Sequence, residues 1–316
     1  MSNSNLKVLI SSRSFGKINS DAIDLLKKQG LIPILNPHGR KLNEDEILSL
    51  IDSDVVGIIV GTENITRKII NNASSLKVIS RYGIGLENID INTANQKGVM
   101  VFNTPETPVV AVAELALSLI LNILKKINKL DREIRGYKWK CEIGNLLSGK
   151  KVGIIGLGRI GKKLVKFLQP FNVEIFAYDI NPDNEFVSKY NINLLKFDEL
   201  LSHCDIITLH CPLTEETKNL IGEKELSNMN KETIIINTAR GKLIDENALY
   251  NALKNKQIAG AAIDAFEDEP YKGKLIELEN VILTPHIGTA TFETRLEMEK
   301  EASNKLIQGL KQQKII

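Results

Sequence analysis

An arginine, a glutamate and a histidine each lie in a short polar cluster that directly follows an apolar run: Arg240, Glu269 and His286. Histidine is the side chain whose ordinary pKa suits proton exchange near neutral pH. A neighbouring carboxylate can orient the imidazole and stabilise its protonated form, and an arginine can hold a carboxylate with two parallel N–H groups. Together these residue types suit proton transfer at the hydroxyl of a substrate that also carries a carboxylate.

A glycine-rich segment is the second chemical feature of the chain. The apolar run 151–155 leads into G-x-G-x-x-G, and a helical pattern follows. In such a segment Gly156 permits a tight turn, Gly158 lets the backbone approach a pyrophosphate, and Gly161 lets the helix pack on the strand. The helix N-terminus then offers N–H groups and a positive dipole end to phosphates. The pattern predicts a dinucleotide-binding βαβ unit, and a plain strand–helix turn is the alternative interpretation.

An acidic residue follows the next apolar run, at Asp179. It lies 18 positions after Gly161, close to the roughly 20 expected for the acid that binds the adenosine ribose. Its carboxylate would accept hydrogen bonds from the ribose hydroxyls and repel a 2′-phosphate. Asn181 and Pro182 follow, with no arginine or lysine to accommodate that phosphate. We therefore predict NAD, rather than NADP, as the cofactor.

Alternating strand and helix patterns organise the chain around these residues. In the first hundred residues, strands are predicted at 6–10, 31–35, 55–60, 76–79 and 99–102, with helices at 21–29, 44–51, 66–72 and 89–96. A single long helix is predicted from 109 to about 135, and a last one over 292–308. The second part has predicted strands at 152–155, 173–178, 206–210, 233–237, 259–263 and 281–283. Such alternation predicts an α/β fold with two doubly wound, parallel-sheet domains.

Four polar clusters follow strands of the second part directly, at 210–214, 237–241, 264–270 and 284–288. Because ligands of open α/β sheets bind outside the carboxyl ends of the strands, we expect these clusters to line one crevice with the glycine loop.

Composition restricts the class of protein. The chain has 316 residues, of which 43% are hydrophobic and 25% charged, and its net charge is +2 without a basic stripe; this is atypical of proteins that bind nucleic acid. Three cysteines without a C-x-x-C pair predict neither a disulfide framework nor a metal site.

The N-terminus lacks a signal-peptide pattern, and the apolar stretch 109–124 is shorter than a membrane span. We therefore predict a cytoplasmic protein without membrane contact.

Taken together, the motifs resemble those of the D-isomer-specific 2-hydroxyacid dehydrogenases, on the phosphoglycerate-dehydrogenase-like branch, over essentially the whole chain. The segments that carry the resemblance are 79–90, 112–114, 156–161, 237–241, 264–270 and 284–288. The resemblance implies a flavodoxin-like substrate-binding domain formed by both termini, residues 1–103 and 289–316. It also implies an inserted Rossmann NAD-binding domain, residues 104–288, and a homodimer.

The resemblance also assigns roles to residues. It places the catalytic residues at Arg240, Glu269 and His286; Glu269 is chosen from three neighbouring acids because it precedes Pro270, as in the family motif. The predicted cofactor-binding residues are Gly156, Gly158, Arg159, Ile160, Gly161, Asp179, His210, Cys211, Pro212, Thr217, Thr238, Ala239, Asp264 and Gly288, with Asp264 as the contact to the nicotinamide carboxamide. The predicted substrate-binding residues are Arg81, Tyr82, Gly83, Ile84 and Gly85. For Arg81 a salt bridge within the protein is an equal alternative.

The implied activity is the NAD-dependent interconversion of a D-2-hydroxy acid and its 2-keto acid. The substrate stays open between 3-phosphoglycerate and an unphosphorylated acid such as hydroxypyruvate or glyoxylate. Phosphoglycerate dehydrogenases often carry an arginine just after the third strand, whereas residues 59–64 contain no basic residue and include Glu63. A remote alternative is an NAD-sensing binding protein similar to the C-terminal-binding-protein corepressors.

Overall fold

The computed structural model describes residues 5–316 and divides them into two compact units. The first unit comprises the described residues up to Pro108 together with Ala290–Ile316, and the second comprises Val109–Thr289. Each unit is built on a parallel sheet with helices between its strands, so the predicted α/β class with two doubly wound sheets is confirmed.

The first unit contains a five-stranded sheet of order β2-β1-β3-β4-β5. Its strands are β1 (Lys7–Ile10), β2 (Ile32–Leu35), β3 (Val55–Val60), β4 (Val78–Arg81) and β5 (Met100–Asn103). Its helices are α1 (Asp21–Lys28), α2 (Glu44–Leu50), α3 (Arg67–Asn72) and α4 (Ile91–Gln96), with the C-terminal α12 (Phe292–Gln312). Every residue of β3 is buried, as expected for a central strand covered on both faces.

The C-terminal helix α12 completes this unit. Ser80 Oγ donates to the carbonyl oxygen of Ala302 at 2.8 Å, and Ser303 Oγ donates to that of Ala22 at 2.9 Å. Gly309 lets the helix approach the sheet, because a Cβ there would lie 2.7 Å from the Phe102 ring. The helix extends four residues beyond the predicted end at 308.

The second unit contains a seven-stranded parallel sheet of order β12-β11-β10-β9-β6-β7-β8. Its strands are β6 (Lys151–Ile155), β7 (Glu174–Tyr178), β8 (Asn193–Leu194), β9 (Ile206–Leu209), β10 (Ile234–Asn237), β11 (Gly260–Ile263) and β12 (Val281–Leu283). Its helices are α5 (Pro108–Lys125, whose first residue belongs to the other unit), α6 (Ile127–Arg135), α7 (Arg159–Leu168), α8 (Asn184–Lys189), α9 (Phe197–His203), α10 (Glu223–Ser227) and α11 (Glu246–Lys254). The edge strand β8 was not predicted, because two exposed residues carry no hydrophobic pattern.

The predicted single helix 109–135 is wrong: two helices meet at Lys126, which adopts a left-handed conformation with φ of 57°. The carboxamide oxygen of Asn122 accepts a hydrogen bond from the Asn128 amide at 3.0 Å. It therefore satisfies one of the free N–H groups at the start of α6.

Among the described residues, α5 is the one helix long and apolar enough to cross a membrane, with 18 residues and a mean hydropathy of 1.8. The prediction that this stretch is too short to span was therefore wrong. In the structure 44% of it is buried, and Ala113, Ala116 and Ile120 pack in a core cluster with Ile154 and Ile236 of the sheet. This face of α5 is a core face of the second unit.

Candidate active site

The turn after β12 presents His286 in a strained conformation. Its φ is +52°, a left-handed value that residues other than glycine seldom adopt. Its Nδ1 lies 2.8 Å from Glu269 Oε1 and 3.0 Å from Oε2. The two side chains are 47% and 38% exposed, so a ligand can reach them. With Nδ1 engaged, Nε2 is the ring nitrogen that can exchange a proton with a ligand.

Asp264, at the end of β11, holds the backbone of this turn. Its carboxylate is 1% exposed. Oδ1 accepts hydrogen bonds from Thr284 Oγ1 at 2.6 Å and from the Ile287 amide at 2.8 Å, and Oδ2 accepts from the Gly288 amide at 3.0 Å. Hydrogen bonds from both sides of His286 thus lock the turn, which is how a protein retains a strained residue.

Two of the three neighbouring acids after β11, Glu267 and Glu269, have different partners. Glu267 lies 3.5 Å from the ammonium of Lys242, whereas Glu269 pairs with His286. Glu269 Oε1 also accepts a hydrogen bond from the Phe266 amide at 3.2 Å. The structure therefore brings together the acid and the histidine that the sequence singled out.

The loop after β10 carries Arg240. Its Nη1 donates to the carbonyl oxygen of Ala239 at 2.9 Å. The next residue must be glycine, because a Cβ on Gly241 would lie 1.9 Å from the carbonyl carbon of Phe266 and 2.3 Å from the Glu267 nitrogen. The Arg240 loop therefore packs backbone to backbone against the segment that carries Glu269.

The glycine loop between β6 and α7 has the geometry of a phosphate-binding turn. Gly156 has φ of +97°, and a Cβ there would lie 2.7 Å from the Cys211 nitrogen. A Cβ on Gly161 would lie 2.2 Å from the carbonyl oxygen of Gly156, whereas nothing lies within 4 Å of the corresponding position on Gly158. The open side of Gly158, at the N-terminus of the ten-residue α7, is where a pyrophosphate can approach.

Asp179 and the segment after β9 lie around this loop. Asp179 Oδ2 accepts a hydrogen bond from the Leu157 amide of the glycine loop at 2.7 Å, and Oδ1 accepts from the Asn181 amide at 2.8 Å. Lys162, in the helix that follows the glycine loop, pairs with Asp183: its Nζ lies 2.6 Å from Asp183 Oδ2. The discrimination of Asp179 against a 2′-phosphate stays a prediction.

The remaining predicted cofactor residues of this unit shape the same region. Thr217 Oγ1 donates to the carbonyl oxygen of Pro212 at 2.8 Å and closes the turn after Cys211. Burial raises the pKa of the Cys211 thiol to about 11, so it is no nucleophile near neutral pH. Arg159 and Ile160 begin α7, and Gly288 Cα faces Val112 and Asp264.

Two buried polar atoms in this region lack a hydrogen-bond partner: Thr238 Oγ1 and His210 Nδ1. The other ring nitrogen of His210 lies 2.9 Å from Thr208 Oγ1, and burial lowers the pKa of His210 to about 4. Buried polar groups in native proteins are almost always satisfied. Together with the open glycine loop, these atoms fit a polar cofactor.

The predicted substrate-binding residues lie in the first unit, at the end of β4. The guanidinium of Arg81 donates to the carbonyl oxygen of Tyr82 and curls over Gly83, where a Cβ would lie 2.4 Å from it. The Tyr82 ring is buried, edge-on to Phe15 and beneath Arg295. The Tyr82 amide donates to the carbonyl oxygen of Val60 and the Gly83 amide to Thr104 Oγ1, so this loop would offer a ligand mainly the backbone of Ile84 and Gly85.

Glu63 occupies the neighbouring loop after β3. It is 2% exposed, and its Oε2 accepts hydrogen bonds from Ser11 Oγ at 2.8 Å and from the Gly61 amide at 3.0 Å. A Cβ on Gly61 would lie 3.0 Å from the same oxygen and 3.2 Å from Ser12 Cβ. Asn88 ties this loop to the loop after β4 by donating to the carbonyl oxygens of Gly61 and Glu63.

Comparison with known proteins identifies the family. A family model described as D-isomer specific 2-hydroxyacid dehydrogenase, NAD binding domain, matches residues 117–288. The chain belongs to the D-isomer-specific 2-hydroxyacid dehydrogenase family. The match covers the glycine loop, Asp179 and the clusters of Arg240, Glu269 and His286, so the second unit contains the NAD-binding domain of this family.

Proteins similar to this chain carry the names of different 2-hydroxyacid dehydrogenases. The chain is 40% identical to D-3-phosphoglycerate dehydrogenase of Methanocaldococcus jannaschii, over 88% of this chain and 53% of that protein. It is 41% identical to glyoxylate reductase of Thermococcus litoralis, over 78% of this chain and 77% of that one. The crystal structure of the TT0316 protein from Thermus thermophilus superposes with a TM-score of 0.89, at 31% identity over 97% of both chains. The chain thus spans about half the length of the phosphoglycerate dehydrogenase.

Site-shaping residues that the sequence did not single out lie inside its motifs. Asn237 and Gly241 flank Arg240 and fix its loop by contacts that only coordinates reveal. The N-T-A-R-G cluster contained a signal for both residues. Asn237 is a polar residue at the end of a buried strand and needs hydrogen-bond partners, and Gly241, a glycine beside a charged residue, indicates a close backbone approach.

Proposed function

We propose that the chain is an NAD-dependent oxidoreductase that interconverts a D-2-hydroxy acid and its 2-keto acid. The observation that carries this proposal is the His286–Glu269 pair, at 2.8 Å, in an NAD-binding domain whose neighbouring strand end presents Arg240. An acid–base group and a carboxylate-binding group beside a nicotinamide site are what this reaction requires.

NAD, when bound, supplies the hydride acceptor, or as NADH the hydride donor. The residues of this chain do the rest. His286 Nε2 donates a proton to the oxygen of the keto acid in reduction and removes it in oxidation. Glu269 fixes the ring through Nδ1 and stabilises the charge that develops on it. Arg240 binds the substrate carboxylate, and its positive charge polarises the adjacent carbonyl.

We assign the cofactor contacts to residues 104–288 and the substrate-binding role to residues 1–103 and 289–316. Within the latter, the proposed substrate contacts are Arg81, Tyr82, Gly83, Ile84 and Gly85. The Tyr82 amide donates to the carbonyl oxygen of Val60 and the Gly83 amide to Thr104 Oγ1, so the N–H groups of Ile84 and Gly85 are the ones we assign to the substrate carboxylate. The Tyr82 ring is buried against Phe15.

We propose two alternatives for the substrate. One is 3-phosphoglycerate with its keto acid, which the named relatives suggest, and the other is an unphosphorylated acid such as hydroxypyruvate or glyoxylate. The loop after β3 favours the unphosphorylated acid. It contains no basic residue and holds the buried carboxylate of Glu63, and a side chain at Gly61 would need its neighbours to move by a few tenths of an ångström. A doubly charged phosphate near this carboxylate would be repelled.

We propose a cytoplasmic homodimer. The segment after α6 exposes apolar side chains that a monomer would leave in water: Tyr137, Trp139 and Ile143 are 100%, 94% and 91% exposed. Contiguous exposed apolar residues mark association sites in soluble proteins. Cyclic dimers are the commonest symmetric assembly and bury the same patch on both chains.

Active-site variants test the proposed roles. We expect His286→Ala to lower kcat of keto-acid reduction by about 100-fold or more, the size of a lost general acid, while the Kd for NADH stays within about two-fold. Glu269→Gln keeps the shape but removes the charge, and should lower kcat and move the pH profile. Lys242→Gln, which changes the partner of Glu267, is the control. Wild-type turnover by His286→Ala would show that another group transfers the proton.

A further inference from the structure

The side-chain amide of Asn237 is buried, and it makes hydrogen bonds on both sides to the loop that carries Arg240. Asn237 is the last residue of β10 and 1% exposed. Its Oδ1 accepts a hydrogen bond from the Ala239 amide at 3.0 Å, and its Nδ2 donates to the carbonyl oxygen of Arg240 at 2.9 Å. The side chain therefore bridges the turn from strand to Arg240 with one acceptor and one donor.

The backbone of Asn237 is fixed as firmly as its side chain. Its carbonyl oxygen accepts the Asp264 amide at 2.9 Å, and its strand pairs with both β9 and β11. Because Asp264 holds the His286 turn by its carboxylate, the Arg240 loop and the His286 turn start from the same backbone junction but are held by different side chains.

Contacts other than those of Asn237 also support the Arg240 loop. Its carbonyl oxygen also accepts the Leu243 amide, at the longer distance of 3.3 Å, and Gly241 packs on the backbone of Phe266. Neither contact reaches the peptide between Asn237 and Ala239. A guanidinium works only if its fork lies within a few tenths of an ångström of the carboxylate it binds, so this peptide must be held.

We infer that Asn237 is a positioning residue: it sets the backbone from which Arg240 reaches the substrate carboxylate. The inference deepens the proposed function and rests on it. In this role Asn237 does not touch the substrate, and its hydrogen bond to the Arg240 carbonyl oxygen is the one that acts on substrate binding. Its other hydrogen bond holds the Ala239 amide, beside the proposed cofactor contacts. The isosteric change Asn237→Asp keeps the oxygen that accepts the Ala239 amide. It replaces the Nδ2 donor by a second oxygen, which would face the carbonyl oxygen of Arg240 without a hydrogen bond and so loosen the loop.

A double-mutant cycle tests the inference. We expect Asn237→Asp and Asn237→Ser to lower kcat/KM for the keto acid about 10- to 100-fold, mainly by raising KM. Asn237→Asp, which keeps the acceptor for the Ala239 amide, should leave the Kd for NADH unchanged. In an Arg240→Ala background the same changes should add less than about two-fold, because residues that act as one unit are not additive. The control is Asn280→Ala, which removes an amide bridge between Leu253 and Ala259 in the same unit.

Several results would overturn the inference: an undiminished effect in the Arg240→Ala background, a parallel loss of NADH affinity, or failure of both Asn237 variants to fold. Binding of oxamate, a keto-acid analogue, to the NADH complex gives a separate readout. If the wild type turns over no keto acid and binds no oxamate, the proposed function itself fails. If the wild type does both and the Asn237 variants match it, only the role of Asn237 is wrong.

Discussion

His286 adopts a left-handed backbone conformation that costs roughly 1–3 kcal/mol in a residue other than glycine. The turn survives because Asp264 accepts hydrogen bonds from Thr284, Ile287 and Gly288. This changes the expectation for Asp264, which the family resemblance presents as a nicotinamide contact. Its carboxylate already accepts hydrogen bonds from three protein donors. A contact with the cofactor would therefore come in addition to the hydrogen bonds that hold the turn.

At the residue scale, the sequence predicted which side chains form the site but not how they are held. The order of residues in T-P-H-I-G and N-T-A-R-G placed Arg240 and His286 at strand ends, and Pro270 marked the acid that pairs with the histidine. The turn at His286 is held by Asp264, which is distant in sequence, and no local pattern encodes that contact. The amide bridge of Asn237 joins residues only two and three positions away, but the residue types alone do not show that this bridge forms.

His210 makes stability depend on pH. Its pKa falls from 6.5 to about 4 because the ring is buried, so the unfolded state binds a proton that the native state refuses. The free energy of unfolding should therefore decrease as pH falls from about 6.5 to about 4, by about 1–3 kcal/mol. Urea unfolding at pH 7.5 and pH 5 should show a smaller decrease in His210→Gln than in the wild type. An equal decrease would mean that His210 is protonated in the native state.

At the element scale, the glycine loop acts through close backbone contact. Gly161→Ala would place a Cβ 2.2 Å from the carbonyl oxygen of Gly156, so α7 must move away from the loop that it supports. We expect the Kd for NADH, measured by fluorescence, to rise about 10-fold or more, since a misplaced phosphate site loses its donors.

Gly136→Ala is the matched control, because a Cβ there would lie 3.4 Å from the carbonyl oxygens of Arg132 and Glu133, an ordinary contact. Equal NADH affinity in both variants would show that the loop adapts and that the packing of α7 does not set cofactor affinity.

Elements with strong hydrophobic patterns were predictable, and those set by single contacts were not. The buried strands β3 and β9 and the amphipathic α1 follow from their apolar spacing. The break between α5 and α6 depends on the left-handed Lys126 and the Asn122 side chain. An apolar pattern continues through such a break, because periodicity reports which face is buried and not where the backbone turns.

At the scale of the whole molecule, the exposed apolar segment after α6 predicts association. Light scattering at micromolar concentration should show a dimer. Trp139→Asp with Ile143→Asp should shift it to monomer, because charges replace two almost fully exposed apolar side chains. Ile276→Asp, at another exposed apolar position, should leave the dimer intact. A monomeric wild type would contradict the proposed assembly.

We expect the chain to reduce a 2-keto acid with NADH to a D-2-hydroxy acid. The most direct measurement is NADH consumption by the purified protein with glyoxylate, hydroxypyruvate, pyruvate and 3-phosphohydroxypyruvate in parallel, followed by chiral analysis of the products. The structure predicts turnover with at least one unphosphorylated acid, a D product where the product is chiral, and a lower kcat/KM for the phosphorylated acid because of Glu63 and Gly61. Tight NADH binding without turnover of any of the four acids would contradict the account.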